Sequence, residues 1–202
     1  MTSMGDAVAN PREALRALVE GNERFAGGKP QSWRADAERR AQLADQQSPF
    51  ACIITCSDSR VGPELIFDQS IGDLFVVRNA GTILTPEVVG SVEFAVEQLQ
   101  VNAVVILAHS GCGAIAAAVA EVRLEGAVAS VIARLQRFVV EARWDGFTGA
   151  ELQSEVSKRN SRALEAALAA ESPAIARAIR EQRLEVHRAF FDIASGRVEW
   201  DY

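Results

Sequence analysis

Residues 101–113 read VNAVVILAHSGCG and combine an apolar run with a glycine-rich turn. The run Val101 to Ala108 is rich in β-branched side chains and carries no charge, which is typical of a buried central strand. The chain then turns at His109, and an alanine-rich helix is predicted from about Ala114. A strand that passes through a short turn into a helix is the repeating unit of parallel sheets. This stretch therefore predicts an α/β fold.

A second buried strand ends in another polar cluster. The run Phe50 to Thr55 is apolar, and Cys56-Ser57-Asp58-Ser59-Arg60 follows it directly. Leu74 to Val77 is a shorter predicted strand, and Leu184 to Ile193 and Val198 to Tyr202 are predicted to close the sheet as a hairpin. The predicted fold is a mostly parallel central sheet of four strands plus an antiparallel edge strand, flanked by helices.

The predicted helices are spread along the whole chain. Asn10 and Pro11 favour a helix start, and apolar residues recur at helical spacing up to Phe25. Because no repeat or linker divides the sequence, we predict a single domain over residues 1–202, with an N-terminal helical arm (1–46) and an α/β core (47–202). The other predicted helices cover Ala35 to Gln46, a segment that opens at Thr85-Pro86-Glu87, a segment around Val128 to Val139, and Gly146 to Ala170.

The composition excludes several classes of protein. With 49% hydrophobic and 24% charged residues in 202, the chain resembles soluble globular proteins. The net charge of −6 disfavours nucleic acid and anionic membranes as partners, so small molecules or further copies of the chain are expected. Three cysteines do not suggest a disulfide framework. We find no signal peptide in Met1 to Asn10 and no membrane-spanning run, and we expect a cytoplasmic protein.

Three potential metal ligands follow the two buried strands. Cys56 comes after the first strand, and His109 and Cys112 come after the second. In an open parallel sheet, sites form beyond the carboxyl ends of strands where the strand order reverses, so neighbouring strands would bring these side chains together. Two thiolates and one imidazole suit a catalytic zinc ion, one per chain, with an open fourth position. Cys56 taken alone is also compatible with a buried structural role, and Cys52 is interpreted as a core residue.

Asp58 and Arg60 are candidates for an ion pair beside the metal ligands. They lie two residues apart in an extended segment and can face the same way. Zinc with two thiolates acidifies water less than zinc with three imidazoles, so a further group has to help. Asp58, held off the metal by Arg60, could accept a hydrogen bond from zinc-bound hydroxide. Released from Arg60, it could instead coordinate zinc and block the site. A solvated surface pair is the alternative interpretation.

These residues together resemble the β-class carbonic anhydrases. The resemblance is carried by Cys56 to Arg60 followed by His109 to Gly113. It implies that Cys56, His109 and Cys112 hold zinc, and that Asp58 and Arg60 form a catalytic dyad. The implied activity is the reversible hydration of carbon dioxide to bicarbonate and a proton by zinc-bound hydroxide. Residues 121–171 match poorly, whereas further matching segments are Gly21 to Phe25, Leu65 to Gln69, Gly72 to Gly81, Gly90 to Ala95 and Phe191 to Gly196.

The resemblance also implies a substrate pocket and an oligomer. The family's site lies at a dimer interface, and its N-terminal helix embraces the partner, so a homodimer or tetramer with carbon dioxide and bicarbonate as ligands is implied. Gln47 matches the glutamine that binds bicarbonate, and Phe94 stands where the family often has tyrosine. The residues that match the substrate-binding positions are Gln47, Val61, Phe75, Phe94 and Gly113.

One position distinguishes two branches of that family. The branch inhibited by bicarbonate at a second site has tryptophan three residues before the first ligand cysteine, whereas this chain has Ile53, although it keeps Arg78. The chain thus resembles the constitutively open branch, and we expect Asp58 to be free of the metal near pH 8. His187 stands where the family's glycine is expected, so it is either a structural residue or a surface proton acceptor, and we favour the structural role.

Other functions remain open at this stage. Hydrolysis of carbonyl sulfide or carbon disulfide is known on similar scaffolds, and a non-catalytic zinc-binding homologue is also compatible with the sequence. A thiol-redox role fits least, because Cys56 and Cys112 lack the Cys-x-x-Cys spacing.

Overall fold

One mixed sheet forms the centre of the molecule. The computed structural model describes residues 10–31 and 36–202. The first four strands are mutually parallel and the fifth is antiparallel, which confirms the predicted sheet. The strand order is β2-β1-β3-β4-β5, and the strands are β1 (Ala51–Cys56), β2 (Leu74–Asn79), β3 (Ala103–His109), β4 (Glu185–Phe191) and β5 (Val198–Trp200). Their ends lie within two residues of the predicted ones.

The strand order reverses between β1 and β3. From β1 the chain crosses to β2 on one side, and it then returns to form β3 on the other side of β1. Cys56 is the last residue of β1 and His109 is the last residue of β3. The topological switch point therefore lies where sequence reasoning expects the site.

Helices cover both faces of the sheet. The predicted helix over Ala35 to Gln46 is shorter than expected, because most of residues 43–46 are exposed and no apolar face continues there; Ala35 itself lies outside the described residues. No described helix is both long and apolar enough to cross a membrane. In chain order the helices are α1 (Pro11–Ala26), α2 (Ala37–Gln42), α3 (Pro63–Ile66), α4 (Pro86–Glu97), α5 (Gly113–Val119), α6 (Ala127–Trp144), α7 (Gly149–Glu171) and α8 (Pro173–Arg180).

The side chains of β1 alternate between two apolar layers. Ile53 packs with α1 residues on one face of the sheet, whereas Cys52 packs with α4, α7 and α8 on the other, where it is a core residue as predicted. A third apolar cluster lies behind the carboxyl ends of the strands. It joins Cys56 and Cys112 to residues of α6 and α7, so the poorly matching segment 121–171 supports the site.

Asn22 ties α1 to two other parts of the fold. Its Nδ2 donates to the carbonyls of Ile66 (3.2 Å) and Gly196 (2.9 Å), and its Oδ1 accepts from the amide of Val198 (2.9 Å). Asn22→Ala removes all three bonds to buried or partly buried backbone groups and is expected to lower the free energy of unfolding by about 2–4 kcal/mol. Urea unfolding at one fixed protein concentration measures this. Glu23→Ala, at the adjacent exposed position, should stay within about 0.5 kcal/mol of wild type, and equal losses in the two variants would contradict the expectation.

Candidate metal centre and active site

Three buried side chains from distant parts of the chain meet at the switch point. The possible ligand atoms of Cys56, His109 and Cys112 all lie within 4.8 Å of one another. The two sulfurs are 3.9 Å apart. Cys112 reaches the others because the chain turns at Gly111, whose φ of +64° is the left-handed conformation that glycine adopts easily. The convergence expected from the sequence is therefore present.

The environment of His109 fits a metal ligand. Its Nδ1 lies 2.9 Å from the carbonyl oxygen of Ser110, and because a carbonyl only accepts, Nδ1 carries the proton and donates it. Its Nε2 then presents a lone pair, and this atom is buried without a hydrogen-bond partner. Buried polar atoms are rarely left unpaired, so the orphaned lone pair suits coordination to a cation.

The two thiols change each other's acidity. The hydrogen bond between the sulfurs lowers the pKa of Cys56 to about 4 against the opposing effect of burial. The same bond, together with burial, raises the pKa of Cys112 well above its usual range. Ionising both thiols would place two negative charges side by side, so the doubly ionised pair requires a compensating positive charge. Sulfur and imidazole donors suit zinc, so the group fits the implied ion.

Asp58 and Arg60 form the predicted pair. Arg60 Nε donates to Asp58 Oδ1 (2.9 Å) and Nη2 donates to Oδ2 (2.7 Å). These bonds hold the pKa of the Asp58 carboxyl well below its usual range, so it is ionised throughout the neutral range. Arg60 Nη2 also donates to the carbonyl of Gly111 (3.0 Å), which joins the pair to the turn between His109 and Cys112.

Arg78 holds the backbone of the turn that follows β1. From β2, its Nε donates to the carbonyl of Cys56 (3.0 Å) and its Nη2 donates to the carbonyl of Asp58 (2.8 Å). This structural role was not deduced from the sequence, because backbone partners leave no pattern in it.

Three of the predicted substrate-binding residues lie away from the metal ligands of their own chain. Gln47 is exposed and precedes the amino end of β1, whereas Cys56 ends that strand. Phe75 pairs in register with Cys52, four residues and about 13 Å before Cys56. Phe94 is 48% exposed on α4, and its ring centroid lies 6.2 Å from that of Phe75. These three residues therefore do not reach the candidate metal ligands of their own chain.

The other two predicted pocket residues adjoin the site. Val61 is fully buried directly after Arg60, and Gly113 begins α5 directly after Cys112.

His187 lies on β4 between the carboxylates of Glu185 and Asp201, with N–O distances of 3.2 and 3.1 Å.

The position of Cys52 in the core, outside the ligand group, predicts its reactivity. The side chain is fully buried, which raises the pKa of the Cys52 thiol to about 12. Since thiolates are the reactive species, Cys52 is expected to resist iodoacetamide at pH 8 in the folded protein and to react fully in urea. Peptide mass spectrometry measures the labelling. Modification of Cys52 in the folded protein at the rate of a free thiol would show that this part of the core opens readily.

Fold and site together define an α/β protein with a buried Cys₂His group that could hold a metal ion, at the switch point of a mostly parallel sheet. A family model described as carbonic anhydrase matches residues 51–198. Carbonic anhydrase 2 of Mycobacterium tuberculosis is 40% identical over 192 residues, 93% of this chain and 91% of the relative. This chain belongs to the carbonic anhydrase family, in its β class, and the reaction expected of it is the hydration of carbon dioxide.

Further relatives agree with this assignment. The carbonic anhydrase of Mycolicibacterium smegmatis is 36% identical and matches 95% of this chain and 93% of its own. A tetrameric β-carbonic anhydrase of Sordaria macrospora is 28% identical, with a TM-score of 0.73 over 93% of this chain and 96% of the other. The similarity to these relatives covers 93% or more of this chain, and the family model spans segment 121–171.

Proposed function

We propose that one zinc ion per chain is held by Cys56, His109 and Cys112, and that Asp58 and Arg60 orient the water that attacks carbon dioxide. The observation that carries this proposal is the convergence of three buried ligands around the unpaired Nε2 of His109. When bound, zinc would supply a Lewis acid that makes water nucleophilic near neutral pH.

Asp58 is suited to orient that water. Its carboxylate is ionised and can only accept hydrogen bonds, so a water beside it must direct a proton toward Asp58 and a lone pair toward the substrate. Arg60 donates two hydrogen bonds to this carboxylate. They would hold Asp58 away from the metal. Near pH 8 we expect this pair to remain intact, with Asp58 not coordinated to zinc, as in the constitutively open branch.

A second copy of the chain would complete the substrate pocket. Gln47, Phe75 and Phe94 lie away from the ligands of their own chain, and Phe94 exposes half of its surface beside Phe75. In a homo-oligomer these residues would face the site of the partner, with Gln47 binding bicarbonate, while Val61 and Gly113 line the pocket from within the chain. The relatives from Sordaria macrospora are tetrameric, which favours a dimer or tetramer here. The cytoplasmic location stays a prediction.

Zinc analysis combined with stopped-flow assays tests the proposal. We expect one zinc per chain, and carbon dioxide hydration that disappears when zinc is removed and returns when it is added back. Carbonyl sulfide and carbon disulfide should be poorer substrates. Full zinc occupancy without turnover would identify a non-catalytic zinc protein, and faster turnover of either sulfur compound would reassign the substrate.

A further inference from the structure

The loop after β2 contains two consecutive residues with left-handed backbone. Gly81 has φ of +73° and Thr82 has φ of +53°. This conformation is unfavourable for a β-branched residue such as threonine. The loop therefore depends on contacts from the rest of the protein to keep its shape.

Asn160 supplies contacts of this kind from α7. Its side chain is buried, and Nδ2 donates to the carbonyls of Gly81 (3.1 Å) and Thr82 (2.9 Å). The side chain of Asn79 closes the loop from inside through two hydrogen bonds of 2.7 Å with the backbone of Ile83. Both left-handed residues are thus held by one amide from a distant helix.

The shape of this loop matters for a metal ligand. The amide of Gly81 donates to Cys56 Sγ at 3.4 Å, within the protein interior. The loop is also tightly packed, since a Cβ at Gly81 would lie 3.2 Å from atoms of Ala114 and Leu135. A hydrogen bond to a thiolate withdraws electron density from the sulfur, which weakens its donation to a metal and leaves that metal a stronger Lewis acid.

We infer that Asn160 is a positioning residue for the metal centre: it holds the carbonyls of Gly81 and Thr82 so that the Gly81 amide points at Cys56 Sγ. The inference rests on the proposed role of Cys56 as a metal ligand. Asn160 thereby sets how strongly that sulfur donates to the metal. It also gives segment 121–171, to which α7 belongs, a direct part in the chemistry of the site.

Cobalt(II) in place of zinc tests this inference, because the energy of the thiolate-to-cobalt charge-transfer band falls as the sulfur becomes richer in electrons. Asn160→Leu keeps the number and branching of the side-chain heavy atoms and removes the donor. We expect its near-ultraviolet band at longer wavelength than in wild type.

The neighbouring Ser161→Ala variant is the matched control. Ser161 is also buried on α7, but its hydroxyl bonds with the hydroxyl of Tyr202 and the carbonyl of Lys158 rather than with the loop. Ser161→Ala should lower stability and leave the cobalt band unmoved. Asn160→Ala serves as a second variant with the same expected shift as Asn160→Leu.

Several results would overturn the inference. An unmoved band in both Asn160 variants, or an equal shift in Ser161→Ala, would show that Asn160 does not act on Cys56. Failure of both Asn160 variants to fold, while Ser161→Ala folds, would assign Asn160 a structural role only. A wild-type protein that takes up no cobalt would contradict the metal centre itself, and this inference with it. A normal cobalt spectrum without carbon dioxide hydration would contradict only the proposed activity.

Discussion

A Cys112→Ala protein is expected to lose its zinc and, with it, carbon dioxide hydration. If the roughly 10–16 kcal/mol of a four-ligand zinc site is shared among its ligands, one thiolate accounts for about 3–4 kcal/mol, or a dissociation constant about 10²- to 10³-fold larger. Cys112 lies 3.9 Å from Cys56, and no described cysteine other than these two belongs to the ligand group, so no third thiol replaces it. Elemental analysis after dialysis and chelator competition measure the loss.

Cys52→Ala is the control for this variant. It removes a buried thiol of the same type from the same strand as Cys56, but from the core rather than the ligand group. It should retain one zinc per chain and hydrate carbon dioxide. Loss of zinc in both variants would mean that any disturbance of the core releases the metal, whereas retention of zinc in Cys112→Ala would remove Cys112 from the ligand set.

Asp58→Asn is expected to keep zinc and lose most activity. The substitution preserves shape, but an amide cannot accept both hydrogen bonds from Arg60, and its NH₂ group would present a donor to the water that Asp58 should orient. Changes beside a metal site typically cost about 10- to 100-fold in activity, and we expect a loss of this size in kcat. Zinc content and stopped-flow hydration, measured on the same sample, separate the two effects.

A surface pair provides the control for Asp58→Asn. Asp145 pairs with Arg159 (2.6 Å) and is exposed, so Asp145→Asn removes a carboxylate–arginine contact away from the metal ligands and should leave hydration unchanged. If Asp58→Asn instead loses as much zinc as Cys112→Ala, the Asp58–Arg60 pair is mainly structural, and its proposed role in orienting water is wrong.

The convergence of Cys56, His109 and Cys112 was predictable because these residues adjoin the two strands with the simplest patterns. Every residue of β1 and β3 is buried, so both strands are uninterrupted apolar runs that end at Cys56 and His109. Parallel pairing then brings their carboxyl ends together, and no knowledge of distant contacts is required.

Other features depend on contacts that the sequence does not encode locally. Asn160 occupies a largely polar helix and looks like a solvent-facing residue, although its partners lie 78 and 79 residues away. The separation of Phe75 from the metal ligands follows from the register between β1 and β2, which no single-strand pattern reveals.

Helix α8 is missing from the sequence prediction, although Ser172-Pro173 is a recognisable start: Ser172 caps the helix by accepting from the amide of Ile175.

X-ray absorption at the zinc edge, on protein purified without added metal, tests the central claim most directly. Coordination by Cys56, His109 and Cys112 predicts two sulfur neighbours at about 2.3 Å and an imidazole nitrogen at about 2.0 Å, with a light atom in the remaining position. Protein without zinc, or zinc without sulfur neighbours, would contradict the proposed centre.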